Sequence, residues 1–364
     1  MGPRGASPDL QHKPSAAAQP LTSPEPFALT LDNGTHCRFF SGGAGRARSD
    51  GYVLMYSCGA DLSASVLGNC HMEMSDGIAR LPDGRRLGYA RDGDPDGRPL
   101  VVCHGDAQSR LGYRWMDGAA ARRHVLLICP ERPGYGKSDP APVGYSVAGS
   151  AGDLETLLEQ LGVGDFTAAG VSAGGGFALA AAAAMGERVL KTVVVSGLFP
   201  FTGAAARREV AWYAPVAFWA VRHLTRPLRA LLSVAIRRSY ASEAGIQRLL
   251  RTLPEPDRAL LEGNPALRAN LLEDALEATR QGAAGTVADL LCYAIGLGDL
   301  QLARISGPVV FIHGTADTIV KPNVAVAAQR MVPGCRLRWV EAGGHFMLGA
   351  DPELLLDEVA PADL

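Results

Sequence analysis

One serine stands among glycines and alanines in the run AAGVSAGGGFALAAAAA, residues 168–184. The pattern Gly170-Val171-Ser172-Ala173-Gly174 follows the apolar run FTAAGV and precedes GGGFALAAA, so it falls where a strand turns into a helix. Such a turn holds the Ser172 hydroxyl exposed at the strand's carboxyl end, while Gly170 and Gly174 let the two backbones approach closely. The amide of Ala173, at the helix start, points toward any oxyanion that forms there. An alcohol is a poor nucleophile at neutral pH. It needs a positioned base, and the base needs a carboxylate to fix its tautomer. Both lie downstream: GPVVFIHG ends in TAD, placing Asp317 at a strand's carboxyl end, and RLRWVEAGG runs into His345 in a glycine-flanked loop. Of the eight histidines, His345 is the one that follows a strand after that acid. Ser172, Asp317 and His345 in this order, on successive strand ends, suit nucleophile, orienting acid and general base for acyl transfer.

The elements that must position these residues are legible as texture. RRLGYAR is a strand followed by the turn DGDPDGRP. Then come LVVC, HVLLIC, DFTAAGV, LKTVVVSG, GPVVFIHG and RLRWVEAG, short apolar runs of the kind that form buried parallel strands. Helical stretches alternate with them, among them DLETLLEQLG, with leucines at helical spacing and Gly162 as a stop. The alternation implies a mostly parallel sheet with helices on both faces, over residues 77–199 and 306–364. Residues 200–305 break it with several helical stretches and no strand, which reads as an inserted lid beside a pocket. The aromatic residues Trp212, Tyr213, Phe218 and Trp219 read as that lid's own packing face.

The N-terminal part has a different character. Residues 1–26 are rich in Pro, Ala and Ser without periodicity, and are expected to be a disordered tail. Residues 27–76 hold the strand-like runs FALTLDNGTHCRFF and GYVLMYSCG, a small extension in which Cys37 and Cys58 would bridge under oxidation. Met72 and Met74 precede the second domain, and the extension is expected to be dispensable for catalysis.

The sequence resembles the α/β-hydrolase superfamily over about residues 78–360. Four motifs carry the resemblance: His104-Gly105, the run Glu131-Arg132-Pro133-Gly134-Tyr135-Gly136-Lys137-Ser138, Gly170-Val171-Ser172-Ala173-Gly174, and His313-Gly314-Thr315-Ala316-Asp317 with Gly344-His345. The resemblance implies an α/β-hydrolase fold with Ser172, Asp317 and His345 as triad. It also implies a second oxyanion donor, the amide of Asp106 just after His104-Gly105. Gly-Tyr-Gly-Lys-Ser in the second motif looks like the family's structural turn rather than a phosphate loop. Asp106 departs from the family's pattern: a carboxylate beside a developing oxyanion opposes it, so the side chain must point away, be protonated or serve a substrate group. Serine at 172 sets aside the branches with a carboxylate nucleophile, the epoxide hydrolases and haloalkane dehalogenases. His104-Gly105-Asp106-Ala107-Gln108 likewise sets aside His-Gly-Gly-Gly lipases and prolyl aminopeptidases. Small esterases, cofactor-free haloperoxidase-like enzymes and carbon–carbon bond hydrolases share the triad, and the fold also serves as a binding module. The reading favoured here is hydrolysis of an acyl ester of a small or medium apolar substrate.

Composition narrows the partners. A net charge of −2 without a sustained run of Lys or Arg argues against nucleic acid and an anionic membrane surface, leaving a small-molecule substrate. The first residues lack a signal peptide's apolar core and no stretch reaches about 18 consecutive apolar residues, so a cytoplasmic protein without a membrane span is expected. Seven cysteines without metal-ligand spacing are expected to be free thiols, and neither metal nor cofactor is implied.

Overall fold

The computed structural model describes residues 27–30, 36–40, 53–56, 75–199, 214–240, 243–295, 301–332 and 334–360. The chain divides into two units, Met1–Glu73 and Met74–Leu364. In the first, β1 (Phe27–Thr30) pairs antiparallel with β2 (His36–Phe40), and β3 (Val53–Tyr56) runs parallel to β2. The tail 1–26 and Cys58, with the disulfide considered for it, lie outside the described residues.

The second unit is built on one eight-stranded sheet. Its strands are β4 (Ser75–Arg80), β5 (Arg86–Gly93), β6 (Arg98–Cys103), β7 (Val125–Pro130), β8 (Phe166–Val171), β9 (Val189–Val195), β10 (Val309–Gly314) and β11 (Arg336–Val340). They lie in the order β11-β10-β9-β8-β6-β7-β5-β4. The six from β6 onward are parallel, and β5 and β4 close one edge antiparallel. Alternation along each strand feeds two cores. Val101, Cys103, Ile128 and Ala168 pack with Leu154 and Leu157 of α2 (Ser150–Gln160) and Phe177 of α3 (Gly175–Met185). Leu100, Val102, Leu127 and Ala169 pack on the other face with Ala120 of α1 (Asp117–Arg122) and with Leu355 and Leu356 near the C-terminus. Both faces are therefore covered, which is why these strands read as continuous apolar runs. Helix α3 is buried almost all round, so alanine suits it: small side chains let it lie close to strands on one side and α2 on the other.

Two expectations about the sheet need correction. Ser75 and Asp76, assigned above to the extension, belong to β4: Asp76 pairs with Ala90 and its carboxylate binds Arg110, Arg114 and Lys137. RLRWV is not a buried strand. It forms the sheet's edge, half-exposed along its length, and Arg336 reaches Glu358 at 2.7 Å.

Between β9 and β10 the described residues hold only helices, with one 3₁₀ turn: α4 (Ala214–His223), α5 (Thr225–Tyr240), α6 (Glu243–Leu250), α7 (Glu255–Gly263), α8 (Pro265–Ala278) and α9 (Ala284–Ile295). Trp212, Tyr213 and the side chain of Phe218 lie outside the described residues. Trp219 is 56% exposed against His223, so it is not part of a packing face. No helix among the described residues is long and apolar enough to cross a membrane. Beyond β10 come α10 (Pro322–Met331), α11 (Met347–Ala350) and α12 (Glu353–Val359).

Candidate active site

Ser172 lies at the end of β8, where the chain passes from extended Val171 through a 3₁₀ turn into α3. Its φ is +53°, a left-handed conformation that a non-glycine residue holds only when its surroundings impose it. Those surroundings are tight. A Cβ on Gly174 would collide with the Cys103 carbonyl, and one on Gly170 with the Gly174 carbonyl, so β6, β8 and α3 can meet only with glycine at both positions. Tyr293, reaching in from α9, pins the turn further: its hydroxyl donates to the Ala173 carbonyl at 2.6 Å and accepts from the Gly176 amide at 3.3 Å.

Opposite the serine, His345 Nε2 stands 3.0 Å from Ser172 Oγ, and His345 Nδ1 stands 2.9 Å from Asp317 Oδ2. Asp317 Oδ1 accepts the amides of Ile319 and Val320, both at 2.9 Å. Burial opposes ionisation of Asp317, but the hydrogen bond and charge of His345 together with the Val320 amide outweigh it and hold the carboxyl below its usual range. Asp317 bonds His345 through Nδ1, which leaves Nε2 as the ring nitrogen turned to Ser172 Oγ. His313, behind Asp317, bonds the Val320 carbonyl at 2.8 Å, and burial lowers its pKa, so it stays neutral and acts as packing for the acid.

The amides of Asp106 and Ala173 have no acceptor among the described residues. The loop carrying the first is held by the buried Arg132, which donates to the carbonyls of both His104 and Gly105 and is paired with Asp289 of α9 at 2.6 Å. His104 Nε2 accepts the Arg132 amide at 3.1 Å, so its Nδ1 carries the proton and donates to the Gly105 carbonyl. Asp106's carboxylate takes the first of the three courses open to it. Oδ1 accepts from Tyr135 and Thr286, each at 2.8 Å, which directs the charge toward β7's following turn and α9.

Three carboxylates from the helical segment escape sequence reasoning. Asp289 clamps Arg132. Asp257 of α7 accepts the amides of His345 and Phe346 at 2.9 and 2.8 Å, holding the loop that bears the histidine. Asp274 of α8 accepts from Ser109. Asp257 and Asp289 lie in ordinary amphipathic helices, where an acidic residue is expected on the wet face, and Asp274 lies in a helix with little amphipathic pattern, so no local signal separates any of them from exposed neighbours. Ser172, His345 and Asp106 open onto a cavity of about 350 Å³, walled mainly by Trp115, Ile246, Leu250, Leu271 and Phe346.

Comparison with known proteins agrees with this architecture. Residues 98–352 match the alpha/beta hydrolase fold family. An uncharacterised protein of Mycobacterium tuberculosis is 27% identical over 72% of this chain and 74% of its own length. A non-heme chloroperoxidase of Streptomyces lividans is 26% identical over 77% of this chain and 96% of its own. The crystal structure of an esterase from Rhodococcus sp. ECU1013 is 25% identical, covers 79% of this chain and 97% of its own, and superposes with a TM-score of 0.56. The chain belongs to the alpha/beta hydrolase fold family and is a hydrolase.

Proposed function

We propose that Ser172, His345 and Asp317 hydrolyse an acyl ester of a small or medium apolar substrate through an acyl-enzyme. One observation carries this reading: the hydrogen-bonded row from Asp317 through His345 to Ser172 ends at a cavity with mainly apolar walls. His345 Nε2 takes the Ser172 proton as Oγ adds to the ester carbonyl, and the amides of Asp106 and Ala173 receive the oxyanion. His345 then returns that proton to the leaving alkoxide. Water, deprotonated by the same nitrogen, adds to the acyl carbon and releases the acid with Ser172 restored. Asp106 does not oppose the oxyanion, because Tyr135 and Thr286 hold its carboxylate.

Helices α4–α9 act as the lid, since α6 and α8 contribute cavity walls and α7 and α9 brace the catalytic loops. The name of the Streptomyces relative points to haloperoxidase-like chemistry on the same triad, and the Rhodococcus structure to ester hydrolysis. The mainly apolar walls favour the ester. Turnover of p-nitrophenyl esters of rising acyl length by the full chain tests the reading. The account expects a rate maximum at an intermediate length and loss of all turnover in Ser172→Ala. Ester turnover at near the parent rate in that variant overturns it.

A further inference from the structure

One side of the cavity is polar in a way that acyl transfer leaves unused. Asp274 is 1% exposed and lines the cavity. Its Oδ1 is fully engaged, accepting the amide of Ser109 at 2.7 Å and the Ser109 hydroxyl at 2.6 Å. Its Oδ2 has no partner among the described residues and faces the space beside Gly112, where an added Cβ would stand 2.8 Å away. Gln108 reaches the same space. Its Oε1 accepts the Gly105 amide at 2.7 Å and the Tyr113 hydroxyl at 3.1 Å, and because an amide N–H can bond only the oxygen, the orientation of the side chain is fixed. Gln108 Nε2 therefore points at position 112, 3.3 Å from where a Cβ would be.

The charge state of Asp274 follows from its neighbours. Burial, with the nearby charge of Glu131, outweighs the Ser109 hydrogen bonds and the Arg110 guanidinium and raises the carboxyl to about 8. Tyr113 and Cys129, the other titratable groups that sense it, are kept neutral by their own burial. A neutral acid whose Oδ1 accepts two hydrogen bonds carries its proton on Oδ2. Two donors, Asp274 Oδ2–H and Gln108 Nε2–H, thus line the cavity beside Gly112, and neither has an acceptor among the described residues.

We propose that Asp274 and Gln108 form a specificity subsite for a second oxygen acceptor on the substrate's chain, a keto or carboxylate oxygen distinct from the scissile carbonyl. It rests on reading this cavity as the substrate site, and it narrows the substrate from a plain apolar acyl ester to an oxo-acyl ester or a half-ester of a diacid. Gly112 serves it by having no side chain to cover the two donors. An apolar chain in the same place would strand both donors without partners, a cost that discriminates more sharply than a change of chain length.

Calorimetric binding of free acids to the whole chain tests the subsite without requiring turnover. The probes are hexanoate, the oxo acids 4-oxopentanoate and 5-oxohexanoate, and the diacids glutarate and adipate, with the corresponding p-nitrophenyl esters compared by kcat/KM. At about pH 6.5 at least one oxo acid or diacid should bind about tenfold or more tighter than hexanoate, fading as pH rises through about 8 and Asp274 loses its proton. Which of the two wins identifies the acceptor as ketone or carboxylate. Asp274→Asn, whose NH₂ donates from the same place, should keep the preference and remove its pH dependence. Asp274→Leu should abolish the preference, and so should Gly112→Ala, whose added Cβ would crowd Asp274 Oδ2 and Gln108 Nε2. Equal binding of all probes overturns the subsite, as does a preference surviving in both Asp274→Leu and Gly112→Ala, or one lost in Asp274→Asn. A protein inert toward every ester that still binds an oxo acid through Asp274 overturns the esterase reading and leaves the subsite standing.

Discussion

Asp317 and Asp257 are the same chemical object used at two distances. Each is a buried carboxylate accepting two backbone amides next to His345. Asp317 binds amides two and three residues ahead of it and so organises its own turn at the end of β10. Asp257 reaches across 88 residues from α7 to the loop that carries the histidine. Asp317 thereby belongs to a local motif, and its spacing from a strand end marks it. The partner of Asp257 is set by how the helical segment folds back on the sheet, and nothing near it in the chain betrays the task. Asp289 repeats the contrast, gripping Arg132 at a separation of 157 residues. In the proposed mechanism the strand ends hold the reactive groups, and the helices hold the loops that aim them.

That division can be broken by substitution, and the expected effects fall in order. Asp317→Asn should cost the most activity. The amide would favour the wrong tautomer of His345, and a loss of about three to four orders of magnitude in kcat is expected, with melting temperature little changed. A loss under about tenfold would show that another carboxylate orients the imidazole. Asp289→Ala should act mainly on the fold: it strands a buried guanidinium, at about 3–5 kcal/mol, and frees the loop bearing Gly105 and Asp106. Denaturant unfolding reads the first effect and kcat the second. Unchanged stability would mean that Arg132 holds that loop without help from α9.

Asp257→Ala leaves two amides unpaired and should cost about 1–3 kcal/mol of stability. Its effect on kcat should stay at least about tenfold below that of Asp317→Asn, since positioning is loosened while the base keeps its acid. Equal losses would erase the distinction between a residue that orients the base and one that braces its loop. The smallest effect is expected from removing residues 1–73. The second unit starts at Met74, and β4 begins one residue later. A chain starting at Met74 should match the full chain in melting temperature and ester turnover, and a drop beyond about tenfold would place the first unit within the working enzyme.

Much of the fold was legible because burial on two faces writes itself as uninterrupted apolar runs: VLLICP and FTAAGV are buried at every position. RLRWV misled because an edge strand next to apolar strands shares their β-formers while leaving Trp339 and its arginines half in water. Ser75 and Asp76 carry no apolar signal. Their place in β4 comes from pairing with β5 and from a carboxylate shared by three cations, both long-range facts. At the site, the glycines around Ser172 were readable because each answers a local steric demand. The direction of Asp106's carboxylate was not, since Tyr135 and Thr286 meet it from 29 and 180 residues away. The donor pair at Gly112 was hidden for the same reason, with Gln108 and Asp274 lining the cavity beside Gly112 from two separate elements.

The central claim is that Ser172 is a nucleophile activated by His345, and covalent labelling tests it most directly. The full-length protein is treated with a fluorophosphonate, and the modified residue is mapped by mass spectrometry of its peptides. The account predicts one phosphonyl group per chain, on Ser172, with no labelling of Ser172→Ala and labelling at least about a hundredfold slower in His345→Ala. A chain that stays unmodified, or carries the label on another residue, would contradict it.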